Sequence, residues 1–214
     1  MITSEKMINN YNFISCEYEK RYYVGEDPNN RKISDLLRKI IIEREIKSVV
    51  ECGCGTGYWI KEVDELGVRR ILGIDGSERM LDIAKRKKYK NEVEFLLHDL
   101  TKEKNFDKKF DLVMTLFFIS SLAEIELVRF INKMYQCVAN GGCFLCIDNK
   151  IPQNIKQDTY ELVLREKWAE KDLECHYNLY SEKKIQRLFE NNGFKLLENM
   201  DIGEDIYGMV FGKL

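Results

Sequence analysis

Seven consecutive residues, Glu51-Cys52-Gly53-Cys54-Gly55-Thr56-Gly57, join a carboxylate to three glycines at alternate positions. Glycine is the residue that loses most freedom on folding, so three at one place imply backbone angles or close approaches that a Cβ would forbid. Such a turn lets a ligand touch the main chain. Val49-Val50 before it read as a buried strand. After it, Trp59, Ile60, Val63 and Leu66 recur at helical spacing, so the turn opens a helix whose free N–H groups face the same space. A strand, a glycine turn and a helix make a nucleotide-type site. A second acid, Asp75, closes the apolar run Arg70-Ile71-Leu72-Gly73-Ile74-Asp75. It lies about 20 residues beyond the glycines, where a neighbouring strand tip would offer a carboxylate to two ribose hydroxyls.

Spacing narrows the ligand. The dinucleotide pattern G-x-G-x-x-G would need a third glycine at Tyr58 or Ile60, and the phosphate-cradling G-x-x-x-x-G-K-[ST] would need a glycine at Tyr58 followed by Lys-Ser or Lys-Thr. Neither fits. An acid followed by G-x-G-x-G resembles motif I of class I S-adenosylmethionine-dependent methyltransferases. Their cofactor carries adenine, ribose, an amino-acid tail and a sulfonium but no phosphate.

That resemblance implies S-adenosylmethionine as cofactor and assigns further residues. Glu51, Gly53, Cys54, Gly55 and Gly57 belong to the cofactor turn, with Asp75 and the adjoining Gly76 at the ribose. Ser77 reads as the N-cap of a helix from Glu78 to Lys88, from which Met80 would lie against adenine. The strand Val93–Leu97 runs into His98-Asp99-Leu100, where the family holds the adenine amino group with a carboxylate, here Asp99, and the ring with a backbone N–H, here Leu100. Thr115 ends the fourth strand, Phe110–Thr115, and is included among the cofactor-binding candidates.

The elements needed to position these residues follow from alternation. Strands separated by helical patterns imply right-handed crossovers and a parallel sheet. The expected fold is α/β: a Rossmann-like, seven-stranded, mostly parallel sheet with helices on both faces and an antiparallel last strand. A helix from Glu124 to Val138 is expected to end at the glycine pair Gly141-Gly142, a C-cap signature, before a fifth strand Cys143–Asp148. A helix from Ser181 to Asn192 precedes strands at Phe194–Met200 and Tyr207–Leu214. One domain over 1–214 is expected: a helical cap or lid over 1–45, a cofactor core over 46–148, an acceptor-side insertion over 149–180 and a closing helix and strand pair over 181–214.

Composition sets outer limits. Arg and Lys number 34 against 36 acids, a net charge of −2 with both signs interspersed, which gives no phosphate-binding face and no expectation of nucleic acid. No apolar run reaches the roughly 20 residues of a membrane span, and the polar start lacks a secretory signal. A soluble, cytoplasmic enzyme is expected. Seven cysteines, an odd number, suit a reducing compartment, and no metal site is expected. Cys143 and Cys146 have C-x-x-C spacing, but on a strand their thiols would point to opposite faces.

Methyl transfer from a sulfonium is an in-line displacement that asks mainly for orientation and exclusion of water. No universal catalytic residue is therefore expected. The residues after the fourth strand, Thr115-Leu116-Phe117-Phe118, lack the Asn/Asp-Pro-Pro-aromatic tetrad of base-modifying amino methyltransferases. Two segments outside the core could build an acceptor pocket. Residues 11–23 hold Tyr11, Phe13, Tyr18, Tyr22 and Tyr23, similar to the tyrosine-containing segment that covers the cofactor in many small-molecule methyltransferases. Residues 149–180 hold Tyr160, Trp168, His176, Tyr177 and Tyr180. Tyr18, Tyr22, Phe117 and Asn149 are the candidate acceptor-binding residues, and His176, one of only two histidines, is the candidate general base. The expected acceptor is an oxygen or nitrogen of a small molecule. A peptide or protein N-methyltransferase is the alternative, because Ile147-Asp148-Asn149 resembles the ending of enzymes that methylate protein α-amino groups. A cofactor-binding module without chemistry is the third reading.

Overall fold

The computed structural model describes residues 4–23, 27–103, 108–168 and 171–213. Among these, seven strands form one sheet in the order β3-β2-β1-β4-β5-β9-β8. The strands are β1 Ser48–Cys52, β2 Arg70–Asp75, β3 Glu92–Leu97, β4 Phe110–Leu116, β5 Val138–Asn149, β8 Phe194–Gly203 and β9 Ile206–Lys213. The first five are mutually parallel; β9 runs antiparallel to both β5 and β8. Strand order reverses between β1 and β4, and a crevice beyond the carboxyl ends of these strands is where such sheets bind ligands.

Side-chain alternation along the central strands explains how both faces are filled. Val49, Leu112, Met114, Cys143, Leu145 and Ile147 face a core shared with α2 Pro28–Glu43 and α3 Tyr58–Glu65. Val50, Cys52, Val113, Phe144 and Cys146 face the opposite core, under α5 Glu124–Cys137 and α6 Glu182–Asn191. Cys143 and Cys146 therefore lie on opposite faces, and no cluster of potential metal ligands forms among the described residues.

Several expected boundaries shift, among them the end of the strand expected at Phe194–Met200, which runs to Gly203. The helix after Ser77, α4, spans Glu78–Lys85 and closes at Arg86 rather than Lys88. Gly141-Gly142 do not cap α5: the helix ends at Cys137, with Val138 already extended. The glycines lie inside β5, where Gly141 has φ +74° and the pairing with β4 slips between Phe110 and Leu112. A Cβ on Gly142 would meet the Asp111 carbonyl oxygen at 2.8 Å, so this glycine serves the strand irregularity. Leu214, at the end of the last expected strand, lies outside the described residues, as do 1–3.

Two pieces stand outside the sheet. The helix α1, Ser4–Tyr22, crosses the carboxyl ends of the strands. The segment read as an insertion holds an antiparallel hairpin, β6 Thr159–Trp168 with β7 Lys171–Tyr180. No helix among the described residues is long and apolar enough to cross a membrane.

Candidate active site

A cavity of about 920 Å³, counting its open mouth, lies at the carboxyl ends of β1, β2, β3 and β4. Its floor is the glycine turn. Gly53, Gly55 and Gly57 have φ of +76°, +52° and +73°, angles that side-chain-bearing residues rarely adopt. The amides of Gly53 and Cys54 donate to the Ile74 carbonyl at 2.8 and 3.0 Å, binding the turn to the neighbouring strand. Where Gly53 passes the β4 loop, a Cβ would sit 2.5 Å from the Phe118 ring.

Three carboxylates reach this cavity, from successive strand tips. Asp75 accepts the N–H groups of Gly55 and Ser77, both at 2.8 Å. Burial raises its pKa, and those amides oppose the rise. Glu51 is 1 % exposed, and its Oε2 has no hydrogen-bond partner. Burial, then the neighbouring Asp75 charge, pushes the Glu51 carboxyl well above the usual range. An unpartnered buried carboxylate oxygen in a cavity wall is costly unless a ligand donor completes it. Asp99 accepts from the Thr101 hydroxyl and amide at 2.7 and 3.0 Å, and from the Ser4 hydroxyl at 3.0 Å. These donors hold its pKa below the usual value despite burial, the largest single influence, which acts upward.

The walls are aromatic and apolar. Tyr23 stacks on Tyr58 at 3.9 Å between centroids, and Trp59 meets Tyr23 edge-on at 5.9 Å. Tyr18 stands beside Tyr23, and burial raises the pKa of both hydroxyls. Opposite them, Phe117 takes φ +58°, a strained angle for a bulky residue, held by its N–H donating to the Ile147 carbonyl at 2.8 Å. No Lys, Arg or His is among the described residues lining the cavity.

The roof is α1. Met7, Ile8, Tyr11 and Tyr18 turn toward the cavity, at spacings that share one helical face. Asn12 Oδ1 accepts from the Ser77 hydroxyl at 2.7 Å and the Arg79 amide at 3.2 Å, and Glu19 pairs with Lys87. From the far side the hairpin grips α1: Asn10 donates to the Glu174 carbonyl at 3.0 Å, and the Arg21 guanidinium lies 4.3 Å over the Trp168 ring.

Of the residues singled out from sequence, Glu51, Gly53, Cys54, Gly55, Asp75, Gly76, Met80, Asp99, Leu100, Tyr18 and Phe117 line this one cavity. Five others lie outside its wall. Gly57 packs toward α4, where a Cβ would meet Ala84 Cβ and the Tyr89 hydroxyl at 3.0 Å. Thr115 is fully buried in the sheet opposite Cys146. Asn149 ends β5 paired with Ile206, and Tyr22 is 41 % exposed between Tyr18 and Trp168. His176 is the fifth residue outside the wall. Along β7 the odd positions Leu173, Cys175 and Leu179 are buried, so the two-residue period turns His176 outward with Glu174, whose Oε1 lies 2.8 Å from Nε2. Sequence reasoning missed the latch residue Asn12 and the wall residues Ser121 and Leu122; the apolar spacing Met7, Tyr11, Ile14, Tyr18 was a signal for the face of α1 but not for its partner.

A family profile described as a methyltransferase domain matches residues 23–199. The chain belongs to this methyltransferase family. It is an S-adenosylmethionine-dependent methyltransferase with the class I fold. Among curated relatives, this methyltransferase is 26 % identical to the carboxy-S-adenosyl-L-methionine synthase of Campylobacter hominis over 190 residues, 80 % of each chain. It is 24 % identical to the demethylmenaquinone methyltransferase of Lactococcus lactis subsp. lactis over 223 aligned positions, 92 % of this chain and 85 % of the relative. The DhpI-SAM-HEP complex has the same fold, with TM-score 0.77, 18 % identity and coverage of 98 % of this chain and 97 % of that one.

Proposed function

We propose that this methyltransferase acts on an oxygen or nitrogen of a small molecule, with the whole chain working as one methyltransferase domain. The observation that carries this reading is the cover over the site: α1, latched through Asn12 and Glu19, lies across a cavity with aromatic walls. A concave, mostly apolar cavity with a few convergent polar groups suits a small ligand.

The residues present fit the cofactor. Asp75 would receive the ribose hydroxyls and Asp99 the adenine amino group, with Met80 and Leu100 along the ring. The unpartnered Oε2 of Glu51 would take the ammonium of the amino-acid tail over the Gly53–Gly55 turn. When bound, S-adenosylmethionine supplies an electrophilic methyl on a sulfonium. The chain's own task is then to hold an acceptor lone pair in line and keep water out, which Tyr18, Tyr23, Phe117 and Phe118 do by shape.

Charge narrows the acceptor. With Glu51, Asp75 and Asp99 assigned to the cofactor, the described wall left to the acceptor is aromatic and holds no Lys, Arg or His to pair an acidic group, which favours an uncharged acceptor. The protein-methylating alternative loses its motif support, since Asp148 is fully buried behind the β4 loop and Asn149 lies outside the cavity.

Two experiments test the proposal. Calorimetry with S-adenosylmethionine and S-adenosylhomocysteine should show one site for each. Incubation of labelled cofactor with cell extract split by size should place label in the small-molecule fraction. Label confined to protein would overturn the acceptor class, and binding without any transfer would favour the module without chemistry.

A further inference from the structure

Among the described residues the β7 edge meets α1 through the Asn10–Glu174 contact, and the other three strand edges, of β3, β8 and β6, are not built alike. β3 is six residues long and carries Glu92 and Glu94; β8 is broken by register shifts at Leu196/Glu198 and Asp201/Gly203 and carries Lys195, Glu198 and Asp201. Short length, bulges and charges are the usual defences against edge-to-edge pairing. β6 is long and carries its four charges, Glu161, Arg165, Glu166 and Lys167, on either side of an uncharged middle. It pairs with β7 through ten residues without a shift, holds no proline, and has Leu162-Val163-Leu164 at its middle. Among the described residues no strand pairs with its outer edge. Val163 is 44 % and Leu164 37 % exposed.

We propose that β6 pairs antiparallel with β6 of a second copy of this chain, about a two-fold axis through Val163, making a four-stranded sheet across two protomers. The sequence is self-complementary in that register. Val163 meets Val163, Leu162 meets Leu164, and Glu161 meets Arg165 on both sides of the axis. Glu161, Val163 and Arg165 share the outward face, since their β7 partners Asn178, His176 and Glu174 include the outward pair His176 and Glu174. The two Glu161–Arg165 pairs therefore stand beside the apolar contact on one surface, and directly opposed unlike charges stabilise an antiparallel pair. Arg165 already contacts Glu174 through Nε at 3.2 Å, and its side chain, 80 % exposed, keeps its other donors for a partner. A closed two-fold contact of this kind caps both edges at once. Because Glu166, Trp168 and Glu174 of the same hairpin hold α1, the pairing also braces the roof of both cavities.

Sedimentation velocity on the full chain tests this. The mass should rise from one chain toward two between low micromolar and submillimolar concentration. Glu161→Arg or Arg165→Glu alone sets like charges opposite each other twice and should weaken the dimer by about tenfold. The double variant Glu161→Arg/Arg165→Glu restores both pairs and should return the constant to within about threefold of the original. Cofactor affinity and far-ultraviolet circular dichroism, measured on each variant, separate loss of pairing from loss of fold. A monomer at every concentration would overturn the proposal. So would a dimer indifferent to the single charge reversals, or one that the double variant fails to restore.

Discussion

The Asp75 carboxylate accepts the backbone N–H of Gly55 at 2.8 Å, so the acid at the tip of β2 fixes the glycine turn after β1 as well as facing the cavity. Removing it takes away the turn's anchor and, on the proposed reading, a cofactor contact. Asp75→Ala should weaken S-adenosylmethionine binding by about a hundredfold, consistent with loss of charge-assisted hydrogen bonds worth roughly 1.5–3 kcal/mol. Calorimetry measures it; unchanged affinity would remove Asp75 from the site.

Gly53 and Gly55 make an internal comparison. Both have positive φ, but a Cβ on Gly53 meets the Phe118 ring at 2.5 Å while one on Gly55 meets nothing within 4 Å. Gly55→Ala should cost only the backbone strain, roughly 1–2 kcal/mol. Gly53→Ala should cost more, by about 1–3 kcal/mol of overpacking, because the clash reaches the Phe118 Cβ and the whole ring cannot swing away. Urea unfolding of the two variants reads the difference directly.

The latch between α1 and α4 rests on Asn12, whose side-chain oxygen accepts from Ser77 and Arg79. Asn12→Ala should leave the sheet intact and speed cofactor release by about tenfold, the loss of one to two net hydrogen bonds of about 1 kcal/mol each. Stopped-flow dissociation checks it, and an unaltered off-rate would mean that α1 does not gate the cavity.

Asp148 supports the cavity's far wall from behind. Its carboxylate accepts the Ser120 N–H at 3.1 Å and the Asn149 N–H at 2.8 Å, and Tyr180 donates to the Leu122 carbonyl at 2.7 Å, so with the Phe117–Ile147 bond these contacts hold the loop over 117–122. Burial raises the Asp148 pKa to about 6, and the titratable neighbours acting with it, Cys146, Tyr180 and Tyr207, are all uncharged near neutrality. The folded chain therefore holds a proton that the unfolded chain has released between the ordinary carboxylate range and about pH 6. Asp148 contributes most stability below that window, and the contribution is lost as pH rises through it. In Asp148→Asn this part of the pH dependence, on the order of 3 kcal/mol, should vanish. Denaturant titrations of both proteins from pH 4 to pH 7 measure it; parallel curves would assign the titration elsewhere.

His176 faces outward against Glu174, remote from the cavity wall. His176→Ala should leave cofactor affinity and label transfer within about twofold of the original. A large loss of transfer at unchanged cofactor affinity would return His176 to the chemistry.

The residues proposed for the cofactor end of the cavity are legible in the chain because they are local. Glycines at alternate positions dictate a turn that side chains would block, short continuous apolar runs mark Val49–Val50 and Ile71–Ile74 as buried strands, and right-handed crossovers then bring Glu51, Asp75 and Asp99 to one end of one sheet. What covers that end was decided only by tertiary packing. The apolar face of α1 has no partner within its own sequence, and only docking sets Asn12 against Ser77 and Asn10 against Glu174. His176 shows the same division: its ring chemistry is written in its residue type, but the pairing of β7 with β6, and the burial of Cys175 against α1, decide which way it points. Local periodicity fixes which side of an element a residue occupies, and long-range contacts fix what that side meets.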